Sequence, residues 1–174
     1  MRRKYNDKYN ILDRLDFISL FIWFLYGMDS IWLSLCTMIF ASAVMCLALN
    51  VYWEARDQPL AGQIAVAQVV VNRANDVRYP DTVCEVVYDA KYSNGSSVPE
   101  KHRCQFSWFC DGLPDEPKDR EAFEGSVLIA RAVLDGKTHD LTNTATHYHS
   151  IDVNPTWSYY YKKTIRIDDH IFYK

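Results

Sequence analysis

Residues 17–53 carry no Lys or Arg and one acid, Asp29, which divides them into FISLFIWFLYGM and IWLSLCTMIFASAVMCLALNVYW. A helix that spans a bilayer takes about 20 apolar residues, and residues 31–49 supply 19 without a charge. Arg2, Arg3, Lys4, Lys8 and Arg14 precede this run, which holds the N-terminus inside and sends the C-terminus out. Small residues at Ala41 and Ala43 also form an A-x-A site, so a signal peptide cut after Ala43 is the second reading. The third is a buried helix of a soluble domain, because Asp29 is costly in hydrocarbon. The expected organisation is therefore a basic segment 1–16, a transmembrane signal-anchor or signal peptide 17–45, and a domain 46–174. Either of the first two readings places that domain outside the cytoplasm, facing the cell wall or secreted.

At 174 residues the chain has room for one domain beyond that segment. Five tryptophans and twelve tyrosines exclude a disordered tail, and the small number of Gly and Pro excludes low-complexity architecture. A net charge of −3 with no basic stripe leaves nothing to neutralise phosphates, so nucleic acid is excluded as a partner.

Cysteine use agrees with export. Cys46, Cys84, Cys104 and Cys110 form an even set with three pairings open, and Cys36 lies within the apolar run. Cys104 and Cys110 are too far apart for a structural zinc site, and no second close pair accompanies them. Disulfides are expected, with no metal and no organic cofactor.

Helical periodicity covers residues 44–56, with Glu54 in the last turn. A second helix over residues 60–75 is apolar nearly all round, which marks a central, enclosed element, with a strand as the alternative. Arg73 near its end suits the negative end of the helix dipole. Tyr79-Pro80-Asp81 opens a short helix or strand through Tyr88, and residues 91–103 read as a Ser/Asn/Gly-rich loop. A third helix starts with Pro117 in its first turn, turns Ala122, Phe123, Val127, Ala130 and Val133 or Leu134 inward, and stops at Gly136. Residues 144–150 and 164–173 are β-prone, the second bent at Asp168-Asp169. The fold class is α+β: a helical domain with a small antiparallel sheet, preceded by an apolar N-terminal helix.

Glu54 ends an apolar helix beside Trp53, ahead of a turn that could form a cleft lip. Burial and the negative helix end raise its pKa, while Arg56 opposes them. A carboxylic acid that keeps its proton near neutrality is what protonating a glycosidic oxygen requires. The bland alternative is a surface glutamate paired with Arg56. Gln105-Phe106-Ser107-Trp108-Phe109 sets aromatics beside polar side chains, suited to sugar rings or, equally simply, to a core strand. His147 and His149 share one face of a strand, but no further ligand spacing accompanies them, and hydrogen bonding outweighs metal binding.

Taken together, ALNVYWEAR (48–56), AGQIAVAQVVVNR (61–73), YPDTVCEVVY (79–88), CQFSWFCDG (104–112) and ATHYHSIDVNPTW (145–157), with HIFYK at the end, closely resemble the SleB-type cell wall hydrolase family. That family includes spore-cortex-lytic enzymes and bacterial or phage peptidoglycan hydrolases. The resemblance implies a lysozyme- or transglycosylase-like domain that cuts peptidoglycan between N-acetylmuramic acid and N-acetylglucosamine. It puts the family's catalytic glutamate at Glu54. By motif position it puts substrate contacts at Gln105, Phe106, Ser107, Trp108, His147, Tyr148 and Asn154. A lytic transglycosylase needs a single carboxyl; a hydrolase would need a second, for which Asp57, Asp111 and Asp152 are the local candidates.

One departure stands out. Family members read Ala-Arg-Gly-Glu-Pro after the catalytic glutamate, and this chain reads Ala55-Arg56-Asp57-Gln58-Pro59. If the missing Glu capped the next helix, Gln58 partly substitutes. The rival readings are an N-acetylmuramoyl-L-alanine amidase, which would call for zinc, and a non-catalytic, membrane-anchored peptidoglycan-binding lysis accessory protein. A phage endolysin held by a signal-anchor is a natural context for the leading one.

Overall fold

The computed structural model describes residues 29–174, with side chains continuously from Ser42 onward. The basic segment 1–16 and the first part of the apolar segment, residues 17–28, lie outside the described residues. Residues 41–174 form one compact unit. Among the described residues no helix is long and apolar enough to cross a membrane.

Helix α1 (Asp29–Ala55) is longer than its sequence pattern suggested and runs unbroken through Ala41 and Ala43. Its last turns are core. Val44, Leu47, Ala48 and Val51 are buried against Ala67 and Val70 of α2 (Leu60–Ala74), Val86 and Val87 of α3 (Val83–Val87), and Ile129, Ala130 and Val133 of α4 (Arg120–Leu134). The opposite side of α2 packs Ala65 and Val69 on Phe172 of the sheet and on Ala145, just ahead of β3. This double burial explains why α2 is apolar all round: it is the layer between helices and sheet.

The sheet has three antiparallel strands, β3 (His147–Ser150), β4 (Lys163–Ile167) and β5 (His170–Tyr173), in the order β3-β5-β4. Its register sets Tyr148 opposite Phe172 and His149 opposite Ile171. The bend at Asp168 is a tight turn with φ +47°.

Several expectations need correction. Residues 91–103 are not simply a loop, because β1 (Ala90–Tyr92) pairs with β2 (Pro99–Cys104) in an antiparallel ribbon. Gly95 at φ +77° takes the left-handed conformation in its turn, which few other residues adopt cheaply. Residues 107–110 form a 3-10 turn (Ser107–Cys110) rather than a strand. Helix α4 begins past Pro117: Asp119 is its cap and accepts from the Ala122 N–H at 3.1 Å. Gln58 does not cap α2, whose N-cap is Pro59 with no side-chain bond. The Gln58 side chain instead lies over Gly62, where a Cβ would stand 3.0 Å from its own. The cysteines pair as Cys46–Cys84 and Cys104–Cys110.

Candidate active site

Three elements bring the site together. Glu54 is delivered by the last turn of α1, Arg73 by the last turn of α2 and Tyr148 by β3. The end of α1 is held in place from its other side. The Tyr52 hydroxyl accepts from the backbone N–H groups of Lys118 and Asp119 at 3.2 and 3.1 Å, and the Trp53 indole donates to the Asp115 carbonyl at 3.1 Å.

Glu54 is partly buried. Burial raises its pKa above the ordinary 4.5, against the lowering effects of the Tyr148 hydrogen bond and the Arg73 charge. Tyr148 donates its hydroxyl hydrogen to Oε2 at 2.9 Å. The phenol's own pKa is pushed well above 10 by burial and by the Glu54 charge, so it stays a donor. Oε2 is therefore occupied, which leaves Oε1 as the oxygen able to carry and release a proton. Arg56 does not pair with Glu54; its guanidinium lies 4.8 Å from the Tyr52 ring centroid and 5.1 Å from that of Trp53. The surface ion pair considered from sequence is not formed.

Arg73 was expected only to serve the helix dipole, and it does more. It is 3% exposed, donates from Nε to the Thr146 carbonyl at 2.6 Å, and lies 5.5 and 5.3 Å from the ring centroids of Tyr79 and Phe106. With its amide oxygen turned toward the guanidinium, Gln105 accepts from both Nη atoms at 3.0 and 3.3 Å. Burial lowers the Arg73 pKa, while Tyr148, Tyr79, Glu54 and Asp89 pull it back up. The signal was in the sequence: a cation on a helix apolar all round must be enclosed, and an enclosed cation needs partners.

The remaining expected site residues separate into two groups. Gln105, Phe106, His147 and Tyr148 gather around Arg73 and Glu54. His147 sits 6.3 Å from Tyr79 and 4.1 Å from Tyr161, centroid to centroid, with Nδ1 3.0 Å from the Thr146 hydroxyl. Burial first, then Arg73 and Arg78, pulls its pKa down to about 4, so it is neutral at ordinary pH. Phe106 and Trp108, at 3% and 6% exposure, belong to the core and cannot offer ring faces to a sugar. The Trp108 indole donates to Asn50 Oδ1 at 3.1 Å. Ser107 is exposed at the start of the 3-10 turn. Asn154 is exposed and bonds Tyr159 and Ser158, away from Glu54 and Arg73 in its contacts.

His149 does not join His147 as a ligand pair. Its Nδ1–H donates to the Ser150 carbonyl at 2.8 Å, which leaves Nε2 to accept from the Tyr173 hydroxyl at 2.9 Å. The three acids considered as second carboxylates are engaged elsewhere. Burial lowers the pKa of His170 and the Asp57 charge partly offsets it, Asp111 accepts from the Leu113 N–H, and Asp152 accepts from the Ser150 hydroxyl. None of them contributes to the proton affinity of Glu54.

Comparisons with known proteins identify the fold and the family. The catalytic domain of a germination-specific lytic transglycosylase, SleB from Bacillus anthracis, superposes with a TM-score of 0.55 at 27% identity, covering 76% of this chain and 93% of that one. The Bacillus cereus SleB catalytic domain gives 0.53 at 26%, covering 76% and 91%. Spore cortex-lytic enzymes of Halalkalibacterium halodurans and Oceanobacillus iheyensis are each 31% identical over about three quarters of this chain (74% and 75%). The chain spans 34% and 41% of the length of those two relatives. Residues 57–173 match the Cell Wall Hydrolase family, beginning just past Glu54. With that match over most of its length, and a fold shared with catalytic domains of the same kind, the chain belongs to the Cell Wall Hydrolase family.

Proposed function

We propose that the chain cleaves the glycan strand of peptidoglycan between N-acetylmuramic acid and N-acetylglucosamine, as a lytic transglycosylase with Glu54 as its one acid/base. The observation that carries this reading is the partly buried Glu54 carboxyl, which is biased toward its protonated form and held through Oε2 by Tyr148. Its likeness to SleB catalytic domains supports the substrate class. Glu54 gives its proton to the glycosidic oxygen as the C1–O bond breaks and positive charge develops on the muramic ring. The resulting carboxylate then takes the proton of the C6 hydroxyl as O6 attacks C1, which closes a 1,6-anhydro ring and restores the acid. No water is consumed and no second carboxylate is needed. In this scheme Tyr148 positions the acid. Gln105, with its oxygen on Arg73, turns its NH2 outward as a donor for substrate, beside neutral His147. Ser107 and Asn154 are the outer contacts.

The test is Glu54→Gln on purified sacculi, with products read by mass spectrometry. Loss of anhydro-muramic ends by at least about a thousandfold is expected, the scale for removing a proton donor and its charge together. Undiminished release would rule the mechanism out. Reducing ends in the wild-type products would make the enzyme a muramidase instead.

Export is the corresponding proposal for the N-terminal part. The apolar run without Lys or Arg behind basic residues supports a signal-anchor or cleaved signal over residues 17–45, and two disulfides support an oxidising destination for residues 46–174. Val44 and Leu47 are core residues, so cutting after Ala43 would leave the core-forming part of α1 intact. Cell fractionation with N-terminal sequencing separates tethered from released protein.

A further inference from the structure

The last turn of α1 presents more than Glu54. Successive helical side chains diverge by about 100°, and on the turn's other side a pocket of about 300 Å³ lies between α1 and the segment leading to α4. Tyr52, Trp53 and Arg56 form one wall of it, and Asp111, Asp115 and Lys118 line the other. The pocket therefore holds two acids and two bases. Among the described residues none of the four is in an ion pair. Asp115 is near enough to Asp111 to feel its charge: burial first and Asp111 second raise the Asp115 pKa. The Arg56 guanidinium is fixed against the Tyr52 and Trp53 rings rather than on a carboxylate. Opposite charges that share one pocket without neutralising each other are complementary to a ligand that carries both signs.

We propose that this pocket binds the zwitterionic end of a peptidoglycan stem peptide, with its free ammonium at Asp111 and Asp115 and its carboxylate at Arg56 and Lys118. The inference rests on the peptidoglycan substrate proposed above. Arg56 serves this pocket, while Glu54, two residues earlier and so about 200° around the helix from it, faces Tyr148 and Arg73. Trp53 stands between the two and anchors the pocket wall through its bond to the Asp115 carbonyl.

The probe is the tripeptide L-Ala-γ-D-Glu-meso-diaminopimelate, titrated calorimetrically into the full chain. Wild type and Glu54→Gln are expected to bind it equally. Acetylating the side-chain amine of the probe, or replacing Asp111 and Asp115 together by Asn, should each weaken binding at least tenfold. Asp115→Asn alone retains the backbone carbonyl that holds Trp53, and with an unchanged circular dichroism spectrum it separates lost charge from lost fold; a several-fold loss is expected from it. No binding by wild type, or equal binding of the free and acetylated probes, overturns the proposal. Continued sacculus cleavage by Glu54→Gln would sink the catalytic reading and leave this one standing.

Discussion

Tyr148 and Glu54, 94 positions apart in the chain, meet in one hydrogen bond of 2.9 Å from phenol to Oε2. The bond ties a strand of the sheet to the end of the helix that opens the domain, and it fixes which carboxyl oxygen is free to act. It also works against burial: burial raises the proton affinity of Glu54, and the phenol lowers it. The acid is thus poised between two opposing effects, with Arg73 adding to the second.

Replacing Tyr148 by Phe removes the lowering effect and keeps the ring. The Glu54 pKa then rises further, its acid form persists to higher pH, and the alkaline limb of kcat/KM moves upward. The maximal rate should fall about tenfold as the carboxyl loses its fixed orientation, and stability should fall by about 1 kcal/mol for the lost hydrogen bond. A pH-rate profile beside wild type checks this, and an unmoved limb would separate the bond from the chemistry.

Arg73 offers a way to distinguish charge from geometry. Arg73→Met leaves the Thr146 carbonyl and Gln105 without their donor in a buried site, at a cost of about 2–4 kcal/mol, and also raises the Glu54 pKa. Arg73→Lys keeps the charge but cannot reach both Thr146 and Gln105 with a planar fork. It should keep the alkaline limb near its wild-type position while losing stability. Urea denaturation and the pH-rate profile, measured on both variants, read the two effects separately.

Much of this was legible in the sequence, for physical reasons particular to each element. Helix α2 announced its central place because both of its sides are buried, and Glu54 because a carboxyl closes an apolar helix. The β1–β2 ribbon was not legible: residues 99–104 read PEKHRC and none of them is buried, so no apolar alternation marks a strand. Phe106 and Trp108 read from sequence as either a sugar platform or core, because aromatics beside polar residues look alike on a surface and at a core edge. Only the packing against α1 and α2 decides between them. Arg73 was visible as a residue but not as a hub, since Thr146, Gln105 and Glu54 come to it from distant parts of the chain.

His147 should make the domain sensitive to acid. Its pKa is about 4 in the fold against an ordinary 6.5. The unfolded chain therefore takes up the proton first as pH falls. The stability this provides is fully present above about 6.5 and is lost as pH drops toward 4. His147→Gln cannot titrate, so its stability should decline less than wild type between pH 7 and pH 4.5 in parallel urea unfolding. Parallel curves for the two proteins would count against the shift.

The two disulfides should differ in what they contribute. Cys46–Cys84 closes a sequence separation of 38 and ties α1 to α3, whereas Cys104–Cys110 closes only 6, between β2 and the 3-10 turn. By the loop-entropy relation the first restricts the unfolded chain by about 4 kcal/mol and the second by about 2. Cys46 and Cys110 are both buried, at 8% and 5% exposure, so replacement by Ala brings a packing loss at each bridge and the loop length sets the ranking. Double Cys→Ala variants of each bridge, unfolded in urea under oxidising conditions, should therefore rank with the Cys46/Cys84 variant clearly the less stable. Loss of the Cys104–Cys110 bridge acts instead where it lies, on the turn that carries Gln105 and Ser107. The expected signature of that variant is a raised KM on glycan strands with a smaller change in unfolding midpoint; a larger drop in midpoint than for the long loop would overturn the ranking.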